Sequence, residues 1–223
     1  GLAAAGVAGA MGAITYLGLY RPFEARGAPT FVILIASLGL FIVLENLIGV
    51  LAGTDSKVVP DLQYGIYFLG NVFFTELQLF QVIALAGVGA LVWAFLRFTS
   101  YGKAILAMTD NAEMARVIGI DTVRVSLLVF VIGSAVSAVP AFLILLKDGA
   151  SPPMGFNAVF VAFLAVVVGG VGSLRGAVLG GFLLGLIEST GMLAIPTEWQ
   201  STISFVVLFL VLVFRPTGLF KGT

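Results

Sequence analysis

Residues Val125 to Leu146 read VSLLVFVIGSAVSAVPAFLILL, 22 positions with Arg124 before them, Lys147 after them and no charge between. An α-helix rises about 1.5 Å per residue, so about 20 apolar residues cross the hydrocarbon of a bilayer, and this run is long enough. The pattern repeats along the chain. With 60% hydrophobic and 10% charged residues among 223, and a mean hydropathy of +1.16, there is too little polar surface to cover a water-soluble globule. Strands of a closed barrel alternate apolar and polar residues, and these runs do not. The expected fold is therefore all-α, a polytopic transmembrane helical bundle. Its membrane-embedded segments number seven: about Leu2–Leu19, Phe31–Leu51, Leu79–Phe98, Val125–Leu146, Phe156–Val171, Ala177–Leu193 and Ser201–Phe214. The last three are short, which leaves half-spans and spans extended by their flanks both open.

Composition also removes functions. The chain has no cysteine and no histidine, which excludes thiolate and Ser-His-Asp catalysis and any metal ligation by these residues. No catalytic residue, metal site or cofactor bound by this chain is expected. Net charge is zero, so charge balance suggests no nucleic-acid partner. Gly1 to Tyr20 carries no basic residue ahead of its apolar run, unlike a signal peptide, and reads as a genuine span.

Orientation follows from lysine and arginine. If loops alternate, Arg21, Arg26, Arg97, Lys103, Arg116, Arg124, Arg175, Arg215 and Lys221 share one side, and only Lys57 and Lys147 lie on the other. The basic side is expected to be cytoplasmic. The segment Gly53–Gln78, with Tyr64, Tyr67, Phe68, Phe73 and Phe74, then faces outward as a loop, an interfacial piece or a re-entrant one.

The charged stretch Arg97 to Arg124 falls on the cytoplasmic side and contains signals for a short helix. Asp110, with Glu113 three residues on, forms a capping-box-like start, and Gly119 followed by Ile120 suits a left-handed, Schellman-type end. Ala112, Met114, Ala115, Val117 and Ile118 give this helix an apolar surface, and Asn111, Glu113 and Arg116 a polar one. It could rest on a partner or be an ordinary solvated loop.

Elsewhere, Gly169-Gly170-Val171-Gly172-Ser173-Leu174-Arg175-Gly176 opens a ladder in which Gly172, Gly176 and Gly180 recur every four residues, with Gly181 and Gly185 on a neighbouring track. Glycine at that spacing lets helix backbones approach closely in lipid. Neither dinucleotide nor P-loop spacing is matched. Glu45 and Glu188 are acidic residues inside expected spans, which either line a path or hydrogen-bond a neighbouring helix. Ser134 and Ser137, with Ala138 and Ala141, form a small, weakly polar stripe near Pro140 that suits either a translocation path or tight packing.

Several of these pieces together resemble a known family. Tyr20-Arg21-Pro22, Tyr101-Gly102-Lys103-Ala104 through Asn111-Ala112-Glu113-Met114-Ala115-Arg116 to Gly119-Ile120, Gly169-Gly170-Val171-Gly172-Ser173 with Gly176-Ala177, and Phe214-Arg215-Pro216-Thr217-Gly218-Leu219-Phe220 resemble the H-type permease subunit of branched-chain amino acid ABC importers, in order over nearly the whole chain. The resemblance implies a single transmembrane permease domain over residues 1–223, lacking one or two N-terminal spans, in the inner membrane of a bacterium or archaeon. It implies a second permease subunit, two cytoplasmic ATPase subunits that hydrolyse the ATP, and an extracytoplasmic substrate-binding protein as partners, with membrane lipid around them. Asp110 to Gly119 match the family's ATPase-docking helix. Branched-chain amino acids are the implied substrates, with urea or short amides carried by close relatives. An ion-coupled secondary transporter using Glu45 or Glu188, and a membrane scaffold, are the rival classes.

The absence of native cysteine makes topology directly testable. A cysteine at Thr109 is expected to react in intact cells only with membrane-permeant thiol reagents, and one at Ser151 with impermeant reagents as well. The reverse pattern would invert the assignment.

Overall fold

The computed structural model describes residues 2–53, 55, 57, 65–69, 72–191, 199–215 and 218–219. Of the features above, Gly1, Tyr64, Leu193, Pro216, Thr217, Phe220 and Lys221 lie outside the described residues. The chain divides into two compact units, Gly1–Pro152 and Pro153–Thr223.

In the first unit, α1 (Leu2–Thr15) passes through a π-helical turn at Tyr16–Tyr20 into α2 (Arg21–Ala25), so one apolar helix runs from Ala3 to Ala25. Pro22 accounts for the wide turn. It has no N–H for the Gly18 carbonyl, and in a regular helix its ring would collide with that oxygen. The preceding turn widens instead, with the Arg21 N–H donating to the Tyr16 carbonyl five residues back. α3 (Thr30–Ala52) is apolar on all sides and has no buried residue.

A short antiparallel hairpin comes next, β1 (Ile66–Leu69) against β2 (Val72–Thr75), with Ile66 opposite Thr75. Tyr67 donates its phenolic hydrogen to Glu76 Oε1 at 2.9 Å, and that hydrogen bond, with the carboxylate's charge, pushes the phenol's pKa up. Thr75 then starts α4 (Glu76–Phe98) with a full capping box. Its hydroxyl accepts from the Gln78 N–H, and its own N–H donates to Gln78 Oε1. Two shorter helices, α5 (Ser100–Asp110) and α6 (Ala112–Val117), connect α4 to α7 (Thr122–Asp148), which runs through Pro140 as one helix. Beyond α7, Ala150 exchanges two backbone hydrogen bonds with Lys57, at 2.9 and 2.8 Å. This pairing puts the segment after α3 and the end of α7 at one end of the unit, while α5 and α6 lie at the other end of α4 and α7.

α1 and α7 pack along each other because glycine allows it. A Cβ on Gly12 would lie 2.6 Å from the Phe130 carbonyl oxygen and 2.8 Å from Ser134 Cβ, and one on Gly9 would lie 3.4 Å from the Val131 carbonyl. At the end of this contact Phe130 sits against two rings, Tyr16 at 5.2 Å and Tyr20 at 4.5 Å between centroids. The Tyr20 hydroxyl meets Ser37 Oγ at 2.7 Å, which ties α3 to the pair.

The second unit comprises α8 (Met154–Gly169), α9 (Leu174–Gly191) and α10 (Gln200–Phe214) around Leu164, Val168, Leu184, Leu208 and Val211. α8 and α9 turn through 116° at Gly170–Ser173. The glycines of this turn divide into two kinds. Gly170 and Gly172 hold φ of +108° and +90°, which L side chains rarely adopt, whereas Gly169, Gly176 and Gly180 let the two backbones touch. A Cβ on Gly180 would lie 2.5 Å from the Ala165 carbonyl oxygen. Gly172 is thus a turn residue and not a rung of the packing ladder. Gly181 meets only the Ala165 methyl at 3.5 Å, and Gly185 has open space around it, so the expected second track makes little contact.

Among the described residues the seven expected segments are largely helical, with Val171 falling in the turn between α8 and α9. Among the described residues, four helices are by length and composition able to cross a membrane, the α8–α9 pair would add one span, and α10 is shorter.

Overpacking a tight backbone crossing typically costs about 1–3 kcal/mol. Gly12→Ala and Gly180→Ala are therefore expected to lower the unfolding temperature of the purified chain in detergent, while Gly185→Ala leaves it unchanged. Equal effects at all three positions would contradict the assignment of close contacts.

Candidate functional site

The connection between α4 and α7 is the part of the first unit that an apolar span cannot absorb. Arg97, in the last turn of α4, lays its guanidinium 5.3 Å from the Trp93 ring. The helix then breaks at Thr99, whose backbone is extended, and Thr99 caps α5 by accepting from the Gly102 N–H at 2.9 Å. The corner is sharp enough that a Cβ on Gly102 would strike Leu96 backbone atoms, which explains glycine there. α5 itself lies outside the expectation drawn from sequence. Its signal is Thr99, a capping residue, with eleven helix-compatible residues after it.

α6 starts one residue later than the Asp110–Glu113 spacing implied. Asp110 is the last residue of α5, and Asn111 leaves the helical region at φ −157°, ψ +103°. Asn111 Oδ1 accepts from the N–H groups of Glu113 at 3.1 Å and Met114 at 2.9 Å, which makes Asn111 the cap. The other end matches the sequence expectation closely. Gly119 has φ +89°, its N–H donates to Arg116 O at 3.0 Å, and the Ile120 N–H donates to Ala115 O at 3.0 Å, the paired bonds of a Schellman motif. Arg116 Nε donates to Thr122 Oγ1 at 3.2 Å, and Asp121 caps α7 by accepting from the Arg124 N–H, so α6 is fastened to the start of α7.

This short, well-terminated helix exposes apolar side chains. Met114, Val117 and Ile118 are 58%, 77% and 69% exposed, whereas Ala115 is only 2% exposed. Ala115 thus faces inward, and the exposed set lies at i, i+3 and i+4 on one face. Ala112, Glu113, Arg116 and Gly119 are exposed around it. An apolar face on a helix outside the spans, bordered by Glu113 and Arg116, has the composition of a protein-contact surface.

The polar residues within spans separate by environment. Glu188 on α9 is buried and accepts a hydrogen bond from Ser204 of α10. Glu45 lies half-buried on α3. Ser134 and Ser137 meet different helices, although the Ser137 hydroxyl donates to the Ser134 carbonyl at 2.9 Å. Ser134 packs against Gly12 of α1, while Ser137 is exposed toward α4, where it lines a groove of about 450 Å³ with Gln81 and Pro140. A stripe that is uniform by spacing is divided between a packing contact and an open groove.

A helical membrane protein with a capped, apolar-faced helix between two spans is the class that this geometry defines. The chain belongs to the family of permease components of branched-chain amino acid transport systems, whose model matches residues 2–212. It is 34% identical over 207 residues to the high-affinity branched-chain amino acid transport system permease protein LivH of Escherichia coli K12, covering 90% of this chain and 66% of that protein. Similarity to BraD of Pseudomonas aeruginosa, a permease protein of a high-affinity branched-chain amino acid transport system, is also 34%, over 208 residues and the same shares of each chain. A probable branched-chain amino acid transport permease protein, LivH of Methanocaldococcus jannaschii, is 27% identical over 229 residues, 94% of this chain and 70% of that one. The chain thus spans about two thirds of the length of the first two relatives. No solved structure matches.

Removing a side-chain N-cap typically costs about 1 kcal/mol. Asn111→Ala is expected to speed amide exchange at Glu113 and Met114 by about fivefold or more, while Asp110→Ala leaves both protected. Loss of protection with Asp110→Ala alone would restore Asp110 as the cap.

Proposed function

We propose that this chain is a transmembrane subunit of an ATP-driven importer that moves branched-chain amino acids into the cytoplasm. In this reading it sits in the cytoplasmic membrane of a bacterium or archaeon with a second permease subunit, two cytoplasmic ATPases and an extracytoplasmic binding protein. It carries out no chemistry of its own. The observation that supports the reading most strongly is the exposed Met114, Val117 and Ile118 face on α6, in a chain of this family.

The mechanism derives from how α6 is held. Its Schellman end and the Arg116–Thr122 hydrogen bond leave little slack between α6 and α7. When ATP closes the ATPase pair, a displacement of α6 is passed to α7, and through the Phe130 contact with Tyr16 and Tyr20 to the first span. The helices then rock between outward and inward access. The side of α6 is cytoplasmic by its excess of basic residues. Substrate choice rests first on the binding protein.

Truncating a residue at the centre of a protein contact commonly costs about 2 kcal/mol or more. Val117→Asp combined with Met114→Asp is therefore expected to leave the permease in the membrane while lowering ATPase copurification and ATP-dependent leucine uptake by about tenfold or more. A large residue at Ala115 would disturb the loop's own packing and report nothing about a partner. Uptake in the unaltered system should fall on ATP depletion and survive an uncoupler. Normal copurification and uptake in the double variant would contradict the docking role, and uptake abolished by uncoupler alone would point to an ion-coupled carrier.

A further inference from the structure

The end of α4 that leads into α5 gathers cations without a carboxylate among exposed aromatic rings. α4 has 23 residues and is about 34 Å long, so Arg97 in its last turn stands at the edge of a hydrocarbon layer about 30 Å thick. Its guanidinium lies over the Trp93 ring, and Phe98 meets the same indole edge-on at 5.9 Å. All three side chains are exposed. The corner at Thr99 folds α5 back so closely that Gly102 lies against the backbone of Phe95 and Leu96, which keeps the exposed Tyr101 and Lys103 beside the end of α4. Among the described residues the one ion pair is Arg124 with Asp121, and neither Arg97 nor Lys103 makes a side-chain hydrogen bond. Asp110, the next carboxylate along the chain, is two helical turns beyond Lys103, about 10 Å away along α5. A guanidinium presents five N–H donors and stays charged, so Arg97 takes its counter-ion from outside the chain.

We infer that this corner is a seat for an anionic phospholipid in the leaflet on the basic side of the chain. The inference needs only that α4 crosses the bilayer, and it stands apart from the import reading. Apolar and charged groups follow one another along α4 in the order in which a phospholipid offers them. Trp93, one turn inside the span, and Phe98 lie against the upper acyl chain, and Arg97 and Lys103 reach the phosphate diester. Tryptophan and tyrosine rings favour the headgroup level, and a guanidinium can hold two phosphate oxygens at once. A lipid of net negative charge is preferred, because a zwitterionic one carries its own ammonium to compete with Arg97 and Lys103. A partner helix would have to bring a carboxylate to the hydrocarbon edge, whereas phosphates already stand at that depth around every span.

The test uses the full chain in vesicles of phosphatidylcholine and phosphatidylglycerol, with bromine on the acyl chains of one lipid or the other to quench tryptophan emission. Trp199→Phe leaves Trp93 as the reporter. Phosphatidylglycerol is expected to outcompete phosphatidylcholine at Trp93 by about tenfold or more. Arg97→Gln and Lys103→Gln are each expected to lower that preference by about fivefold, the share of one basic residue at a charged leaflet. Arg97→Lys, which keeps the charge and loses the fork, should fall between Arg97→Gln and the unaltered chain. Arg124→Gln removes an equal charge from the same side and should leave the preference unchanged. Circular dichroism checks the fold of each variant, and Lys103→Gln, at an exposed position on α5, carries the test if Arg97→Gln does not fold. Equal quenching by the two brominated lipids would overturn the seat. A loss with Arg124→Gln as large as with Lys103→Gln would overturn it too, as the mark of a diffuse surface potential. Absence of quenching by either lipid would also refute it and show that protein covers Trp93.

Discussion

A leucine gains little by leaving lipid for the surface of another helix, so in hydrocarbon the apolar residues that fold a soluble protein do not hold helices together. What remains is contact between backbones, and this chain makes it where glycine removes the Cβ. Gly9 and Gly12 bring α1 onto α7, and Gly169, Gly176 and Gly180 bring α8 onto α9. Everything else in each unit is arranged around one such crossing. The large side chains that point away from these crossings are exposed along most of every span, α3 most completely, as expected of surfaces that meet lipid or another subunit.

The same medium dictates how irregularities are handled. A proline within a span leaves a carbonyl without its N–H partner, and the two prolines are accommodated differently. Before Pro22 the helix widens by one π turn, so that Arg21 reaches the Tyr16 carbonyl. Around Pro140 the helix continues unbroken, with Pro140 lining a groove beside Gln81. The first irregularity sits where Tyr16 and Tyr20 hold Phe130. Both lie on helices that α7 links to α6, the route along which the proposed movement of α6 would pass.

Much of this could be read from spacing between charges. Segment positions were legible because an uncharged run of 22 residues such as Val125–Leu146 has few uses outside a membrane. The Schellman end of α6 was legible because Gly119 with Ile120 has one economical conformation. The start of α6 was not, since Asp110 and Asn111 are both capping residue types and only the length of α5 decides between them. Glycine spacing likewise revealed a close crossing but did not separate Gly172, needed for positive φ, from Gly176 and Gly180, needed for contact. Ser134 and Ser137 share a stripe in sequence, and which neighbour each faces depends on α1 and α4, helices far away along the chain. Ala115 belonged to the apolar surface by type, yet it is buried, because a short helix must seat one side on the protein that carries it.

In the proposed reading, coupling of ATP to transport depends on the exposed face of α6 being covered by a partner that hydrolyses ATP. The most direct measurement is the labelling rate of a single cysteine at Ile118 in membranes containing both permease subunits, with and without the ATPases. A cysteine at Asp121, outside that face, serves as the control. Coverage of an apolar contact centre should slow labelling at Ile118 by about tenfold or more when the ATPases are present, with the control unchanged. Equal labelling at Ile118 in the two conditions, with the ATPases shown to be bound, would contradict it.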